Sequence, residues 1–520
     1  MKRTATVWSG HAMGHSICRR LSGALRDWGR SDARRSTLVA ALVTLVALTS
    51  PPVASAQFDF TVTVRGPQNV VQGRPLYVVL TTTPVSGTSP TLIPITVSGV
   101  PAGATVSFPD IAQTCCGTNQ IYSLSSPVST TIQISTLATT PAGPATLTVN
   151  VTAGAVSRSV SFPIAVTAPP GASPRQPYAA AGSVPQLALW QSTMATYGQA
   201  FCAQLTATSL TPDQRLAATY YDSQRVFYNI RDYTGASVWD TCARNAQAVY
   251  RDGYVIPNNG SVPGYWDFPH GLYQGYVRTS DGASKNALLL LSRNAAYGTA
   301  AAGNLSAMVN PALSREIAYH LMAYVLARAA GEPPSPIGEA YVDLALGHID
   351  QWFVSRTFRA ALGDDVPPAA VGQFYVQPFM VALTAEALIQ VYETQSPDAR
   401  VLSAVNLAMD WLWANAWNAS NQAFWYELYG PALGPYQTSS SSGAPDLNLL
   451  IAPAYAWLYK QTGNATYRDR ADAIFAGGVT QACASCDGKH FNQQYRQSFD
   501  YVKWRNPSSG PAAPTGLIVR

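Results

Sequence analysis

Residues 221–271 read YDSQRVFYNIRDYTGASVWDTCARNAQAVYRDGYVIPNNGSVPGYWDFPHG, and their periodicity is the strongest structural signal in the chain. Phe227, Ile230 and Tyr233 fall on one helical stripe. The helix is predicted to end at Thr234-Gly235, because glycine readily takes the left-handed conformation of a helix C-cap. A second helix is predicted from about Val238 to Tyr250. The pattern therefore predicts a helical hairpin.

The segment that follows this hairpin, from Asp252 to Phe268, is predicted to be a long loop with several Gly, Pro and aromatic residues. A loop of this length inside a compact domain is usually functional or disordered. Its aromatic content argues against a disordered linker. We therefore expect this loop to form one wall of a binding cleft.

The hairpin is one unit of a helical repeat that covers residues 186–505. Two of the tight turns are near copies, IRDYTGASVW and LYKQTGNATY. The predicted turns lie at Thr234-Gly235, Asp281-Gly282, Gly331-Glu332, Gln395-Ser396 and Thr462-Gly463. A sixth hairpin could combine the helix at 186–205 with residues after Phe499. Such units either stack into an open superhelix or close into a ring.

In this repeat, and in turns such as YKQTGNATYRDRADAIFAGGV at residues 459–479, the chain resembles the six-hairpin glycosidase superfamily. The resemblance implies an all-α (α/α)5–6 toroid that acts on carbohydrate as a hydrolase or a lyase. The long loops of such a ring meet on one face, and we expect the cleft there. Residues 186–505 are thus the predicted catalytic domain.

Residues 57–167 alternate apolar and polar side chains in short runs separated by turn residues, which is typical of a β-sandwich. The segment VSGVPAGATVSF, residues 97–108, resembles the immunoglobulin-like modules of bacterial secreted proteins. That resemblance implies a spacer or docking domain, with direct sugar binding as the alternative. Residues 168–185 form a predicted Pro-, Gly- and Ala-rich linker, and residues 506–520 a predicted flexible tail.

Residues 1–56 have the features of a secretory signal peptide. An apolar run at 38–48 follows Arg34-Arg35 and precedes Ala54-Ser55-Ala56, a cleavage site of the small-x-small type. The run is too short to span a membrane. We expect cleavage after Ala56, a secreted or periplasmic location, and no membrane span in the mature chain.

The charge balance changes once that segment is excluded. Eight of the 33 Lys+Arg and two of the 28 Asp+Glu lie in the first 56 residues, so the mature chain has a formal charge of −1. This balance gives no indication of a nucleic-acid partner. The sequence also lacks a phosphate-binding loop, a dinucleotide fingerprint, zinc spacing and a nucleophile elbow, so we expect no cofactor and no metal. Aromatic residues make up 10% of the chain, which suits a polysaccharide or oligosaccharide partner.

Six of the seven cysteines follow Ala56, and an even number in an oxidising compartment allows disulfides. Cys202 and Cys242 could link the first helices of the helical region. Cys483 and Cys486 could close a small loop. The adjacent Cys115-Cys116 either form a vicinal bridge or stay reduced.

Glycoside hydrolysis requires two carboxyl groups with different pKa values beside the scissile bond. Four acids lie at the starts of predicted inner helices, namely Asp222, Asp267, Glu316 and Asp446. Asp222 and Asp446 have an alternative role as helix caps or dipole partners, and Glu316 has one as an ion-pair partner of Arg315. We predict that Asp267 forms the acid/base pair with Glu316 or Asp222.

A polysaccharide lyase is the alternative, because β-elimination beside a uronate requires a base and a group that neutralises the carboxylate. His270 and Tyr265 are the candidate bases, and Arg225, Arg315 and Asn448 are the candidate neutralising groups. A non-catalytic carbohydrate-binding or surface protein is the second alternative. The other side chains predicted to contact substrate are Tyr221, Trp266, Tyr375, Tyr426, Glu427 and His490.

Overall fold

A computed structural model describes residues 57–111, 120–122, 124–168, 183–301, 303, 305–363, 366–395 and 397–505. The predicted signal peptide, the predicted tail and nearly all of the predicted linker lie outside the described residues. Cys115-Cys116 and the turn residue Ser396 also lie outside them.

The described chain begins with strands and continues with helices, which confirms the predicted order of a β region followed by an α region. The strands of the β region are β1 (Asp59–Arg65), β2 (Asn69–Val71), β3 (Pro75–Ser86), β4 (Leu92–Ser98), β5 (Thr105–Ser107), β6 (Gln120–Tyr122), β7 (Val128–Ser135), β8 (Gly143–Ala153) and β9 (Val156–Thr167).

These strands form two sheets, with the orders β1-β3-β7-β5 and β2-β9-β8-β4-β6. The longest pairing joins β8 to β9 antiparallel, from Gly143 opposite Val166 to Ala153 opposite Val156. Successive side chains of a strand point to opposite faces of its sheet. On β8 the inward set includes Leu147, which is buried in an apolar core shared by both sheets. The alternating pattern read from the sequence thus corresponds to one buried face per sheet.

The helical region contains the principal helices of the chain together with four further short strands. The helices are α1 (Leu187–Gln204), α2 (Pro212–Ala217), α3 (Ser223–Thr234), α4 (Val238–Gln247), α5 (Pro269–Thr279), α6 (Gly282–Asn294), α7 (Leu305–Met308), α8 (Ser314–Ala329), α9 (Pro336–Phe353), α10 (Pro378–Thr394), α11 (Ala399–Ala416), α12 (Asn448–Thr462), α13 (Ala465–Gln481), α14 (Gly488–Tyr495) and α15 (Ser498–Trp504). The strands are β10 (Phe374–Val376), β11 (Trp417–Asn418), β12 (Ala423–Phe424) and β13 (Leu428–Gly430).

The first helix of each hairpin packs against the first helix of the next. In chain order, α3 contacts α5, α5 contacts α8, α8 contacts α10, and α10 contacts α12. Helix α12 then contacts both α14 and α15, and α14 contacts α3. Helices α8, α10 and α12 are buried on nearly every face, whereas their hairpin partners α9, α11 and α13 each keep an exposed face. The core of the helical region therefore lies among the first helices.

Local cap chemistry fixes the tight turns. Gly235 and Gly463 follow α3 and α12 with φ of 76° and 68°, the left-handed conformation that the sequence suggested. Asp281 starts α6 by accepting a hydrogen bond from the backbone N–H of Ala283. The predicted loop from Asp252 begins later than expected, because α4 continues as a π-helix over Ala248–Val255.

The β region contacts the helical region near the ends of α8 and α10. The backbone N–H of Gln68 donates to the carbonyl of Thr394 at 3.3 Å. The guanidinium of Arg328, in the last turn of α8, donates to the carbonyl of Tyr77 on β3. Both contacts use backbone carbonyl groups, so they depend on the path of the chain and not on the side chains of Thr394 and Tyr77.

Candidate functional site

A cavity of ≈240 Å³ lies among the first helices, and we call it the central pocket. Its polar lining consists of Arg225, His270, Glu386, Gln390, Glu393, Thr394, Gln497, Asp500 and Lys503. Glu393 and Thr394 end α10, Lys503 lies in the last turn of α15, and all three are partly exposed. The pocket therefore opens near those helix ends. This is a different place from the long-loop face on which we expected the cleft.

Glu386, on α10, is the centre of the charge network in the pocket wall. Its Oε1 lies 2.7 Å from Nη1 of Arg225, and its Oε2 lies 2.7 Å from Nη2 of Arg496. Burial lowers the pKa of Arg496, but the interactions with Glu386, Tyr319 and Asp222 together outweigh that effect and the net shift is upward. A buried carboxylate is stable only when it is paired and hydrogen-bonded, and the two guanidinium groups meet both conditions.

Asp500 is the second carboxyl group of the pocket. Its Oδ2 lies 3.5 Å from Nη2 of Arg225, and its side chain is 35% exposed. Asp500 lines the pocket, where burial raises its pKa while the charges of Arg225 and Lys503 oppose the shift. The guanidinium of Arg225 thus contacts the carboxyl groups of both Glu386 and Asp500. Glu386 also pairs with Arg496.

His270 lies in the first turn of α5 and lines the same pocket. Its Nε2 is 2.8 Å from Oε1 of Gln390, which fixes the orientation of the ring. Burial holds the pKa of His270 well below its usual value, and the charges of Arg225 and Arg496 add to that effect. The imidazole is therefore neutral at physiological pH.

Asp222 holds the starts of two first helices together. Its Oδ1 accepts a hydrogen bond from the N–H of Arg225, and its Oδ2 accepts one from the N–H of Gly271, each at 3.0 Å. A Cβ atom on residue 271 would lie 2.5 Å from Oδ1 of Asp222, so the contact requires glycine there. Burial raises the pKa of Asp222. Asp222 thus has the capping role given above as its alternative, and it positions Arg225 and His270.

Asp267, the acid that the sequence favoured most, is 0% exposed. Its Oδ2 lies 2.8 Å from Nδ1 of His320, which is equally buried. Burial raises the pKa of Asp267, and the contact with His320 opposes the shift. A carboxyl group without exposed surface cannot touch a substrate. In this structure Asp267 lies in the core beside His320, and its role as an acid/base residue stays a prediction.

Glu316 and Arg315 lie at the start of α8, away from the central pocket lining. Oε1 of Glu316 is 3.2 Å from Nη2 of Arg315, as in the ion-pair alternative. The Arg315 guanidinium also lies 5.3 Å from the ring centroid of the exposed Tyr265. The structure therefore does not bring Glu316 and Asp267 together at one accessible site, although Tyr265 and Arg315 do meet.

Several other predicted substrate contacts support local structure. Asn448 binds the carbonyls of Gln422 and Ile474, and Glu427 accepts hydrogen bonds from the N–H and hydroxyl of Ser439. Asp446 accepts a hydrogen bond from the N–H of Cys483 at 2.7 Å, and His490 lies 2.9 Å from Asp487. The remaining aromatics contact other rings or pair in β10, namely Tyr221, Trp266, Tyr375 and Tyr426.

Two disulfides are present in the helical region. One joins Cys202 of α1 to Cys242 of α4, across a sequence separation of 40. The other joins Cys483 to Cys486, across a separation of 3. These are the two pairings that the sequence suggested.

Glu386 was missed because it lies in the middle of a first helix and not at its predicted start. Glu386 did leave a signal, since it is the lone acid inside the apolar stretch PFMVALTAEALIQVY at residues 378–392. A charge in such a helix requires a partner, and Arg225 is 161 residues away in sequence. Asp500 left no comparable signal in SFDYVKW, residues 498–504.

Neither metal-ligand clusters nor membrane-spanning helices were found among the residues that the structure describes. In that part of the chain, no group of three or more His, Cys, Asp and Glu side chains is arranged to hold a metal ion. None of the described helices has the length and apolar character needed to cross a bilayer.

Comparison with known proteins gives only weak likenesses. No family model and no curated protein matches the chain. Among solved structures, it is similar to a family 76 glycoside hydrolase from a bovine Bacteroides thetaiotaomicron strain, with 10% identity and a TM-score of 0.30 over 87% of this chain and 84% of that one. It is also similar to the native conformation of Escherichia coli α2-macroglobulin, with 12% identity and a TM-score of 0.29 over 86% of this chain and 26% of that one. Likenesses of this strength carry no argument about fold or function.

Proposed function

We propose that the protein is a secreted carbohydrate-active enzyme, a glycoside hydrolase whose active site is the central pocket. The observation that carries the proposal is the contact of one guanidinium, Arg225, with two carboxyl groups, Glu386 and Asp500. Hydrolysis of a glycosidic bond needs two carboxyl groups in different protonation states. The environments of Glu386 and Asp500 differ, since Glu386 is paired with two arginines and burial raises the pKa of Asp500.

In this proposal, protonated Asp500 is the general acid that donates to the leaving glycosidic oxygen. Glu386, paired with two arginines, stabilises the positive charge that develops on the sugar ring in the transition state. A water molecule then bonds to the anomeric carbon and gives its proton to the carboxylate of Asp500, which restores the general acid. The cavity of ≈240 Å³ is below the roughly 300–1,000 Å³ of typical ligand pockets, so it would hold about one sugar residue. Apolar side chains, including Pro453 and Trp504, complete its walls.

We further propose that the first helices close into an (α/α) toroid, with residues 186–505 as the catalytic domain. The contacts that run from α3 through α5, α8, α10 and α12 to α14, and from α14 back to α3, support a closed ring over an open superhelix. We also propose that residues 57–167 are an immunoglobulin-like spacer, joined through a linker at 168–185, and that residues 1–56 direct secretion.

A polysaccharide lyase is the second candidate. Two side chains that line the same pocket support it. His270 is neutral and can accept a proton, and Arg225 is a cation that can neutralise a uronate carboxylate. In that reaction His270 would remove the proton next to the carboxylate. Asp500 would then have no essential role.

The test is a panel of soluble polysaccharides incubated with the protein, in which reducing ends and near-ultraviolet absorbance are followed together. Reducing ends without new absorbance indicate hydrolysis, whereas an unsaturated uronate absorbs. Asp500→Asn should lower the hydrolytic rate by about 10²–10⁴-fold, the usual contribution of a general acid. The matched control is Asp469→Asn, at a side chain that is 64% exposed.

Two outcomes would contradict the hydrolase proposal. One is an Asp500→Asn protein that keeps its full hydrolytic rate. The other is absorbance that rises with the reducing ends and disappears in His270→Gln, which would establish the lyase.

A further inference from the structure

A second concave surface lies apart from the central pocket, between α1, α2 and the start of α14. Its volume is ≈440 Å³. The side chains that matter for its chemistry are Gln204, Gln214, Tyr220, Trp266, Asp487 and Lys489, and we call their surface the lateral groove. None of these six side chains lines the central pocket.

Two partly exposed aromatic rings form one side of the lateral groove. The ring centroids of Tyr220 and Trp266 are 4.8 Å apart, and their planes are nearly perpendicular at 89°. The ammonium group of Lys489 lies 5.7 Å from the centroid of the Tyr220 ring. Phe268 packs against both rings from the core, and it therefore limits their movement. The aromatic side of the groove is preformed.

The polar side chains of the groove supply both hydrogen-bond donors and acceptors. Gln204 and Gln214 contribute amides, which have both functions, and Lys489 contributes a donor. Asp487 contributes a carboxylate, and hydrogen bonds from His490 hold the pKa of that carboxyl group below its usual value although burial opposes the shift. The charges of Asp487 and Lys489 offset each other, so the groove has no net preference for an anion.

Each disulfide fixes one border of the groove. Cys202 lies two residues before Gln204 and ties the end of α1 to α4. The Cys483–Cys486 bridge closes the loop directly before Asp487, and Asp446 accepts a hydrogen bond from the N–H of Cys483. Rigid borders lower the entropy cost of binding, because fewer side chains have to be immobilised. The two covalent links therefore hold the groove in one shape.

We propose that the lateral groove is a second carbohydrate site, which binds a neutral sugar residue of a polysaccharide at a distance from the catalytic pocket. A pyranose ring has an apolar C–H face that suits an aromatic side chain, and hydroxyl groups that need donors and acceptors together. The lateral groove combines both kinds of group with balanced charge. The lateral groove offers no net positive charge to the carboxylate of a uronate residue.

The test uses affinity electrophoresis of the full chain carrying Asp500→Asn, so that the polysaccharide in the gel is not degraded. Native gels contain soluble starch, xylan, mannan or mixed-linkage β-glucan, and pectin serves as the acidic comparison. At least one neutral polysaccharide should retard the parent protein. Trp266→Ala and Lys489→Ala should each weaken that retardation by about tenfold in apparent Kd. The control Trp413→Ala, at a partly exposed Trp stacked on Trp417, should leave it unchanged.

Three results would overturn the proposal: no retardation in any neutral gel, retardation by pectin alone, or retardation that survives both groove substitutions. Lys489 is exposed, so Lys489→Ala remains informative even where Trp266→Ala fails to fold. The choice of the Asp500→Asn chain rests on the proposed function, but the two readouts differ. The gel assay compares groove variants in one background and measures binding, whereas the rate measurement compares Asp500→Asn with wild type, so either site can be refuted while the other stands.

Discussion

Nη1 of Arg225 lies 2.7 Å from Oε1 of Glu386, and both side chains are buried among the first helices. The two residues are 161 positions apart, so the contact exists only when α3 and α10 face each other across the helical core. Arg496 binds the other oxygen of the same carboxylate from a third part of the chain. This ion network therefore joins three parts of the helical region that are far apart in sequence.

Replacement of Glu386 by Gln should destabilise the protein strongly. The substitution leaves Arg225 and Arg496 without their shared counter-charge, and removal of one partner from a buried ion network costs roughly 3–5 kcal/mol. Urea unfolding followed by tryptophan fluorescence measures this loss. The double variant Glu386→Gln/Arg496→Gln should lose less than the sum of the two single variants, because it removes charges of both signs. Simple additivity would show that the network is not coupled.

The pH dependence of stability should include a contribution from His270. In the unfolded chain a histidine takes up its proton near pH 6.5, whereas burial holds the pKa of His270 well below that value in the folded protein. Below about pH 6.5 the unfolded state therefore binds more protons, and stability falls as the pH falls. His348, whose pKa burial lowers to about 4, acts with the same sign.

The comparison that isolates His270 is the difference between the wild-type protein and His270→Gln from pH 7 to pH 5. The variant should lose less stability over this range. Buried acids with raised pKa values, such as Asp267, act with the opposite sign but cancel in the difference. His490→Gln, at a partly exposed ring, is the control. Parallel stability curves for wild type and His270→Gln would contradict the prediction.

The two disulfides should differ in their effects on stability. A cross-link stabilises mainly by restricting the unfolded chain, and the effect grows with the length of the closed loop. The Cys202–Cys242 bridge has a sequence separation of 40 and should contribute about 4 kcal/mol, whereas Cys483–Cys486, with a separation of 3, should contribute about 2 kcal/mol. Paired Cys→Ser variants, unfolded in urea, test the order. A larger loss from the short loop would refute the entropic account.

Arg328→Met should loosen the contact between the β region and the helical region. Nη1 of Arg328 lies 2.9 Å from Oε1 of Glu339, and the same guanidinium donates to the carbonyl of Tyr77. Without this link, thermal unfolding by calorimetry should change from one transition toward two. Arg468→Met, at a partly exposed ion pair on α13, should keep the wild-type profile. A single unchanged transition in Arg328→Met would show that the remaining contacts suffice.

Local signals in the sequence predicted the hairpins, and long-range packing determined the pocket. Gly235 and Asp281 mark their turns through conformation and cap chemistry that act within four residues, so the sequence alone identifies them. Asp267 appeared functional because it follows Tyr265-Trp266 in an aromatic segment. Of these three residues only Asp267 is buried, and its side chain meets His320 in the core, whereas Tyr265 stays exposed.

The acids of the pocket could not be identified in the same way. Asp222 appeared equally suited to capping and to catalysis, and the hydrogen bond from the N–H of Arg225 gives it the capping role, while the bond from the N–H of Gly271 joins it to a second helix. Glu386 and Asp500 meet through Arg225, and these contacts depend on the packing of three separate helices. Contacts between segments more than a hundred residues apart leave no periodic trace in the chain.

The hydrogen bond from Gln68 to Thr394 matters for any attempt to replace the β region by another domain. Thr394 also lines the central pocket. Gln68, which lies between β1 and β2, therefore helps to hold the pocket rim in place. Replacement of the β region by another domain would therefore remove a contact with the pocket rim. A graft that keeps the pocket intact must reproduce the backbone course at Gln68 and at Tyr77, because both contacts are made through main-chain groups.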